Sequence, residues 1–212
     1  MSQTIHSPRL AQSDARLAQL IQEVSFPDYA NTYDVFEDVV SCILDMRIHY
    51  AGSRAAFRYK RLKEHLSPGT PIDPELFLVR GPHIRQVLKL SYQKYDSLLA
   101  WSRHWLESDL GSLNWLLMSA EDVSELLLPV KGIGEWSVQM ILLFTLEHPD
   151  IFPIGDYQLR KAMVSWYGLD ESSDLDEQMR SISQKWSPEQ SLATRYLLRW
   201  RETTGGAIIA SL

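Results

Sequence analysis

Residues 130–140 read VKGIGEWSVQM, and the step Gly132-Ile133-Gly134 is where residue types and spacing first point to chemistry. Glycine reaches positive φ without strain, so the step permits a tight turn. It also leaves backbone N–H groups bare of side chains at the entrance to an apolar helix, where the helix dipole favours an anion. Three readings follow: a plain turn, a dinucleotide fingerprint, or a hairpin that grips a nucleic-acid phosphate. The dinucleotide reading draws on LLLPV before the glycines and on Asp156 downstream, at about the distance of a ribose contact. It fails because Gly132-x-Gly134-x-x-Ser137 lacks a third glycine and because no alternation of strands and helices is present to build a parallel sheet. Asp156 also has a local reading, since an aspartate before YQLRKAMVSW is a good helix N-cap.

Other chemical signals are weaker. Cys42 is the only cysteine, which excludes a disulfide framework, a thiolate zinc site and a four-cysteine iron–sulfur cluster; its place in FEDVVSCIL predicts a small core residue. The six histidines show no metal-ligand spacing, so no metal site is expected. Ser91-x-x-Lys94 mimics a nucleophile motif but lacks its partner motifs, and a helix cap beside a surface lysine explains it. DESSDLDEQ, residues 170–178, reads as a solvated acidic loop and helix start.

The elements that must position these residues are helices. Asp34-x-x-Glu37 reads as a capping box, Asp73-Pro74 as a cap with a proline at the first helical position, Ser91 as the cap of SYQKYDSLLAWSRHWLE, and Ser187-Pro188-x-Gln190 as the opening of a last helix through about residue 201. Strand alternation is scarce, and the expected fold class is all-α, about ten helices on short loops. Net charge is −6, yet Met46 to Tyr95 carries ten Lys or Arg against three acids, +7 for that stretch and −13 for the remainder. Such asymmetry could give a basic face for a polyanion. The apolar runs are too short for a membrane span and the first residues lack a signal peptide's apolar run, so no membrane partner and a cytoplasmic, nucleoid-associated location are expected.

VKGIGEWSVQM followed by FPIGDYQLRKA, residues 152–162, resembles the helix-hairpin-helix motif with its trailing Gly/Pro loop and aspartate in the DNA glycosylase superfamily. Within it the chain is most similar to the alkylpurine glycosylases of the 3-methyladenine type. FEDVVSCILDMRIHYAGSRAAFRYKRL, LKLSYQKYDSLLAWSR and WSPEQSLATRYLLRW resemble further family segments, so the likeness covers roughly residues 30–201. It implies two helical domains with an active-site cleft between them: a central domain, 32–134, ending in the helix-hairpin-helix, and an outer one made of 1–31 plus 135–212. The implied activity is base excision by a monomeric enzyme on double-stranded DNA carrying an alkylated base, without a cofactor beyond a monovalent cation that can bridge hairpin carbonyls to a phosphate.

The resemblance also distributes roles. Asp156 matches the catalytic aspartate, which stabilises positive charge on the sugar and orients or deprotonates the attacking water. Trp136 stands where bifunctional relatives carry the Schiff-base lysine, so a monofunctional enzyme without lyase activity is expected. Trp136 and Tyr157 match aromatic positions near the base pocket, with Trp166, Trp186 and Tyr29 as looser candidates. Gly132 and Gly134 would offer amides to a phosphate, assisted by Lys131 and the Ser137 hydroxyl, and Lys94 would add to the backbone grip. Met46 and Arg47 stand where the family has the pair that fills the vacated stack. Glu189 and Gln190 depart from its closing motif. Those departures keep open an alternative: a catalytically weak helix-hairpin-helix protein that binds DNA lesions.

Overall fold

The computed structural model describes residues 7–29, 31–45 and 57–204. Among them are eleven α-helices and no strand, the all-α class expected: α1 Pro8–Ser13, α2 Ala15–Glu23, α3 Val35–Asp45, α4 Phe57–Leu66, α5 Pro74–Leu88, α6 Tyr92–Glu107, α7 Ala120–Leu127, α8 Glu135–Met140, α9 Tyr157–Tyr167, α10 Leu175–Ser183 and α11 Gln190–Thr204. By contacts the chain groups into two units, residues 29–146 and residues 1–28 with 147–212. The helix after the hairpin, placed above with the outer domain, groups with the central one.

In the central unit, α5 packs on α6 and α4, α3 on α6 and α4, and α7 on α8. Its centre is aromatic. Phe36 stacks on Trp101 at 5.8 Å, Trp105 stacks on Trp115 at 5.9 Å, and the Trp101 indole donates to the Phe36 carbonyl. Offset rings of this kind bury large apolar area and fix the mutual rotation of α3 and α6. α8 continues into a π-helical turn, Ile141–Thr145, every residue of which is buried. Two polar side chains hold that wide turn: the Asn31 amide donates to the carbonyls of Phe144 and Thr145, and the Thr145 hydroxyl donates to Asp38 at 2.7 Å.

The outer unit packs α9 on α11 and α2 on α11. Asp14 ties it together. One carboxylate oxygen caps α2 through the amides of Arg16 and Leu17, and the other accepts from the Tyr167 hydroxyl and the Trp186 indole N–H.

Of the expected caps, Asp73 and Ser91 act as read, accepting from the amides of Glu75 and Lys94. Asp34 accepts from the Glu37 amide, but the Glu37 carboxylate does not complete a box; it accepts from the Tyr59 hydroxyl, Lys63 and the Ile72 amide. The start of α11 is held by Asp150 rather than Ser187: its carboxylate accepts from the Gln190 amide and from the Ser187 hydroxyl.

The carboxylates of α3 have an electrostatic consequence. Burial, with Asp34 and Glu37 close by, pushes Asp38 up from 3.8 to about 6, the Thr145 hydrogen bond opposing. A carboxyl raised in the folded state keeps its proton while the unfolded chain releases it, so this group's contribution to stability falls as pH climbs from about 4 to about 6 and is flat above. Burial likewise pushes the Cys42 thiol up, in keeping with a core role.

Candidate active site and nucleic-acid interface

The hairpin joins α7 to α8. α7 starts in a full capping box, Ser119 with Asp122, and turns Val130 N–H back onto the Leu127 carbonyl. Its two glycines do different work. Gly132 has φ +91, and a Cβ there would meet Ser97 Oγ at 2.0 Å and Ser97 Cβ at 2.5 Å, so glycine is required both by conformation and by contact with α6. Gly134 has φ −114, which any residue adopts, and nothing lies within 4 Å of where its Cβ would stand. It is the N-cap of α8 and supplies no capping side chain. The first backbone bond of α8 runs from Val138 N–H to the Gly134 carbonyl, so the amides before it have no carbonyl partner within the helix. The turn thus sets the positive end of a helix dipole beside open space, the kind of surroundings that favour an anion.

Around this turn, Lys131 is exposed and pairs with Asp96 of α6 at 3.4 Å, a contact that a phosphate could replace. Ser137 is buried, which limits its hydroxyl as a phosphate donor. Trp136 is half-buried on the first turn of α8. Lys94 turns inward and donates to the Leu44 carbonyl near the end of α3, a structural tie rather than an outstretched cation. Tyr29 is half-buried, its ring edge-on to Phe144. Met46 and Arg47 lie outside the described residues. The basic stretch is partly absorbed: Lys63 pairs with Glu37 and Arg85 sits 3.7 Å over the Tyr92 ring, while Lys60, Arg80 and Lys89 are exposed.

In the other unit, Asp156 caps α9 as its sequence suggests, Oδ1 accepting from the Leu159 amide at 2.8 Å. It is 9% exposed. Tyr157, the next residue, is 64% exposed and stands at the edge of a groove of about 520 Å³ lined also by Arg160, Lys161, Glu171, Asp174 and Leu175. The acidic segment forms one wall of that groove and pairs with the other: Arg160 with Asp176 at 2.5 Å, Lys161 with Glu171 at 2.9 Å. It is thus not a purely solvated loop. Arg160 lay unread in the sequence, although its spacing of four from the cap put it on the face of α9 that carries the aspartate.

The tryptophans divide by burial. Trp186 is 0% exposed, with its indole N–H on Asp14 and Phe152 edge-on at 5.8 Å; it is a core residue, not a pocket wall. Trp166 is also buried, donating to the Arg16 carbonyl and packing edge-on to Trp200. Both are corrected from candidate pocket residues to packing residues of the outer unit. Glu189 accepts from the Ser7 hydroxyl and pairs with Arg9 at 3.2 Å, so the departure there ties α1 to α11.

The described residues, helices without a strand, with a Gly132-Ile133-Gly134 hairpin and then a Gly/Pro loop and an aspartate-capped helix, have the fold of the helix-hairpin-helix DNA glycosylases. No protein-family model matches the chain. The Bacillus subtilis protein YfjP, whose name assigns it provisionally to the DNA-3-methyladenine glycosylases, is 34% identical over 114 residues, 54% of this chain and 39% of that protein. The chain thus spans well under half the length of that relative. A solved DNA-3-methyladenine glycosidase from Bacillus halodurans is 26% identical, with TM-score 0.72 over 97% of this chain and 93% of that one. The Schizosaccharomyces pombe 3-methyladenine DNA glycosylase, solved with abasic DNA, shares the fold at 21% identity, TM-score 0.71, over 89% of this chain and 91% of that one. In sequence and fold the chain is similar to the 3-methyladenine type members of the helix-hairpin-helix DNA glycosylase superfamily.

Proposed function

We propose that the chain is a monofunctional DNA glycosylase that hydrolyses the N-glycosidic bond of alkylated purines in double-stranded DNA, a base-excision repair activity, and acts as a monomer in the cytoplasm on nucleoid DNA. The observation that carries this reading is Asp156: a carboxylate oriented by its cap at the head of α9, directly after the loop that trails the hairpin. As the base leaves, positive charge grows on the sugar, and a fixed carboxylate is stabilising there without reorganisation. The same group can orient or deprotonate the attacking water. The open face at Gly134 and the α8 amides would hold a phosphate of the lesion strand, an anchor that carries no sequence information. The turn 128–134 contains no carboxylate, so its backbone carbonyls are the groups that would hold a monovalent cation, whose charge would offset that of a phosphate. A purine alkylated at a ring nitrogen is often cationic, and the exposed Tyr157 ring and Trp136 are aromatic faces for it. Position 136, where bifunctional relatives carry the Schiff-base lysine, holds a tryptophan here, and the expected product is therefore an intact abasic site.

The test is release of free base from methylated duplex DNA by the wild type and by Asp156→Asn. The wild type is expected to release alkylated purine, the variant to lose roughly two to three orders of magnitude, the scale seen when one transition-state stabilising group is removed. Borohydride treatment should trap no covalent adduct. Undiminished release by Asp156→Asn refutes the role of the aspartate. Lesion binding with no release from any substrate by the wild type would establish the binding-only alternative.

A further inference from the structure

The loop that presents Asp156 packs through Pro153 and Phe152 and is tied further by hydrogen bonds. Gly155 is exposed, with nothing within 4 Å of where its Cβ would stand. Inside the loop Ile154 N–H reaches the Phe152 carbonyl and Asp156 N–H the Pro153 carbonyl, both at 2.8 Å. A side chain from one turn further on adds a third tie: Arg160 Nη1 donates to the Ile154 carbonyl at 3.1 Å, and the same nitrogen reaches Asp176 Oδ1 on the first turn of α10. We propose that Arg160, oriented by Asp176, is a positioning residue for Asp156: it fixes the carbonyl two residues before the carboxylate and thereby sets where the loop places that group.

The argument is geometric. Asp156 Oδ1 accepts from the Leu159 amide, which couples the placement of the carboxylate to the backbone on either side of it. The α9 side is fixed by helix bonds, including Arg160 N–H to the Asp156 carbonyl at 2.9 Å. The other side passes through the open glycine, and the Ile154 carbonyl is the nearest point beyond it at which a side chain takes hold. A shift of the order of 1 Å in a reacting group costs about a hundredfold in rate. Asp176 keeps the guanidinium from swinging into the groove, and a planar guanidinium presents N–H groups to a carbonyl and a carboxylate with a definition that a lysine ammonium lacks.

This inference rests on the proposed glycosylase reading, and its test separates the two. Arg160→Gln, Arg160→Lys and Asp176→Asn are compared with wild type in single-turnover base release at saturating enzyme. Affinity for a duplex with an abasic-site analogue is measured at two salt concentrations. The expected result is a fall in the chemical rate of about 10–100-fold for Arg160→Gln and less for Asp176→Asn, partial recovery in Arg160→Lys, and unchanged affinity and salt slope. In an Asp156→Asn background Arg160→Gln should cost nothing more, because it acts through the missing carboxylate. A chemical rate equal to wild type overturns the proposal. So does an affinity loss with the salt slope reduced by about one, which would make Arg160 a phosphate contact. Amide hydrogen exchange provides a readout independent of catalysis: residues 154–159 should exchange faster in Arg160→Gln and in Asp176→Asn, with the melting temperature shifted by only a few degrees, and unchanged exchange there also refutes it. A wild type that releases no base, with exchange altered as expected, would fail the glycosylase reading while leaving the positioning contact intact.

Discussion

The two hairpin glycines make opposite predictions, and Gly132→Ala is the sharper. The substituted residue must hold φ +91, a region that costs a non-glycine residue about 1–2 kcal/mol even in its better-populated part. Its methyl would also stand 2.0 Å from Ser97 Oγ and 2.5 Å from Ser97 Cβ. A rotamer change could remove the Oγ overlap, at the expense of the bond from that hydroxyl to the Gln93 carbonyl, but Cβ is fixed to the α6 backbone. The hairpin and α6 must then separate by the better part of an ångström, the kind of overpacking that costs about 1–3 kcal/mol. Together the variant should lose about 2–5 kcal/mol, a large part of the roughly 5–15 kcal/mol that a domain commonly has. Urea unfolding of Gly132→Ala, Ser97→Gly and the double variant measures it. Ser97→Gly alone should cost about 1 kcal/mol as a glycine within a helix. In the double variant the overlap is gone while the φ penalty remains, so the two changes should couple favourably by about 1–3 kcal/mol. A Gly132→Ala protein within 0.5 kcal/mol of wild type, or additive behaviour of the pair, would refute the close approach of hairpin and α6.

Gly134→Ala should leave the urea midpoint unchanged, since its φ is ordinary and its surroundings open, while weakening duplex binding about tenfold by crowding the phosphate at the α8 amides; equal affinity for DNA would remove the anchor from this glycine. Asp38→Asn removes a carboxylate that burial, Asp34 and Glu37 disfavour, with Lys63 engaged on Glu37 and Thr145 still able to donate to the amide oxygen. It should gain about 1–2 kcal/mol at pH 8, the roughly 3 kcal/mol implied by two pH units less the unpaired amide hydrogens, and near pH 4, where that pH-independent cost is nearly all that remains, it should lose about 1 kcal/mol; thermal melts with the same increment at both pH values would contradict the raised carboxyl.

What could be read from the chain and what could not separates by distance along it. The caps at Asp73, Ser91 and Asp156 lie within a four-residue window, where an aspartate or serine side chain either reaches the amide two or three residues on or does not. Glu37 lies in such a window too, yet Tyr59, Lys63 and the Ile72 amide claim its carboxylate, because a carboxylate buried by packing must take partners that only packing brings. The same logic hid Asp150, forty residues before the helix it caps, Ser97 beneath Gly132, and Asp176 beside Arg160. With seven tryptophans in the chain, residue type does not separate Trp186, sealed over Asp14, from Trp136, half-exposed at the hairpin. A departure from a family pattern is ambiguous for this reason. Glu189 departs from the closing motif of the family it resembles and so keeps the binding-only alternative open, but its charge is met by Arg9 and Ser7, a tie within the fold that accounts for the residue without reference to DNA.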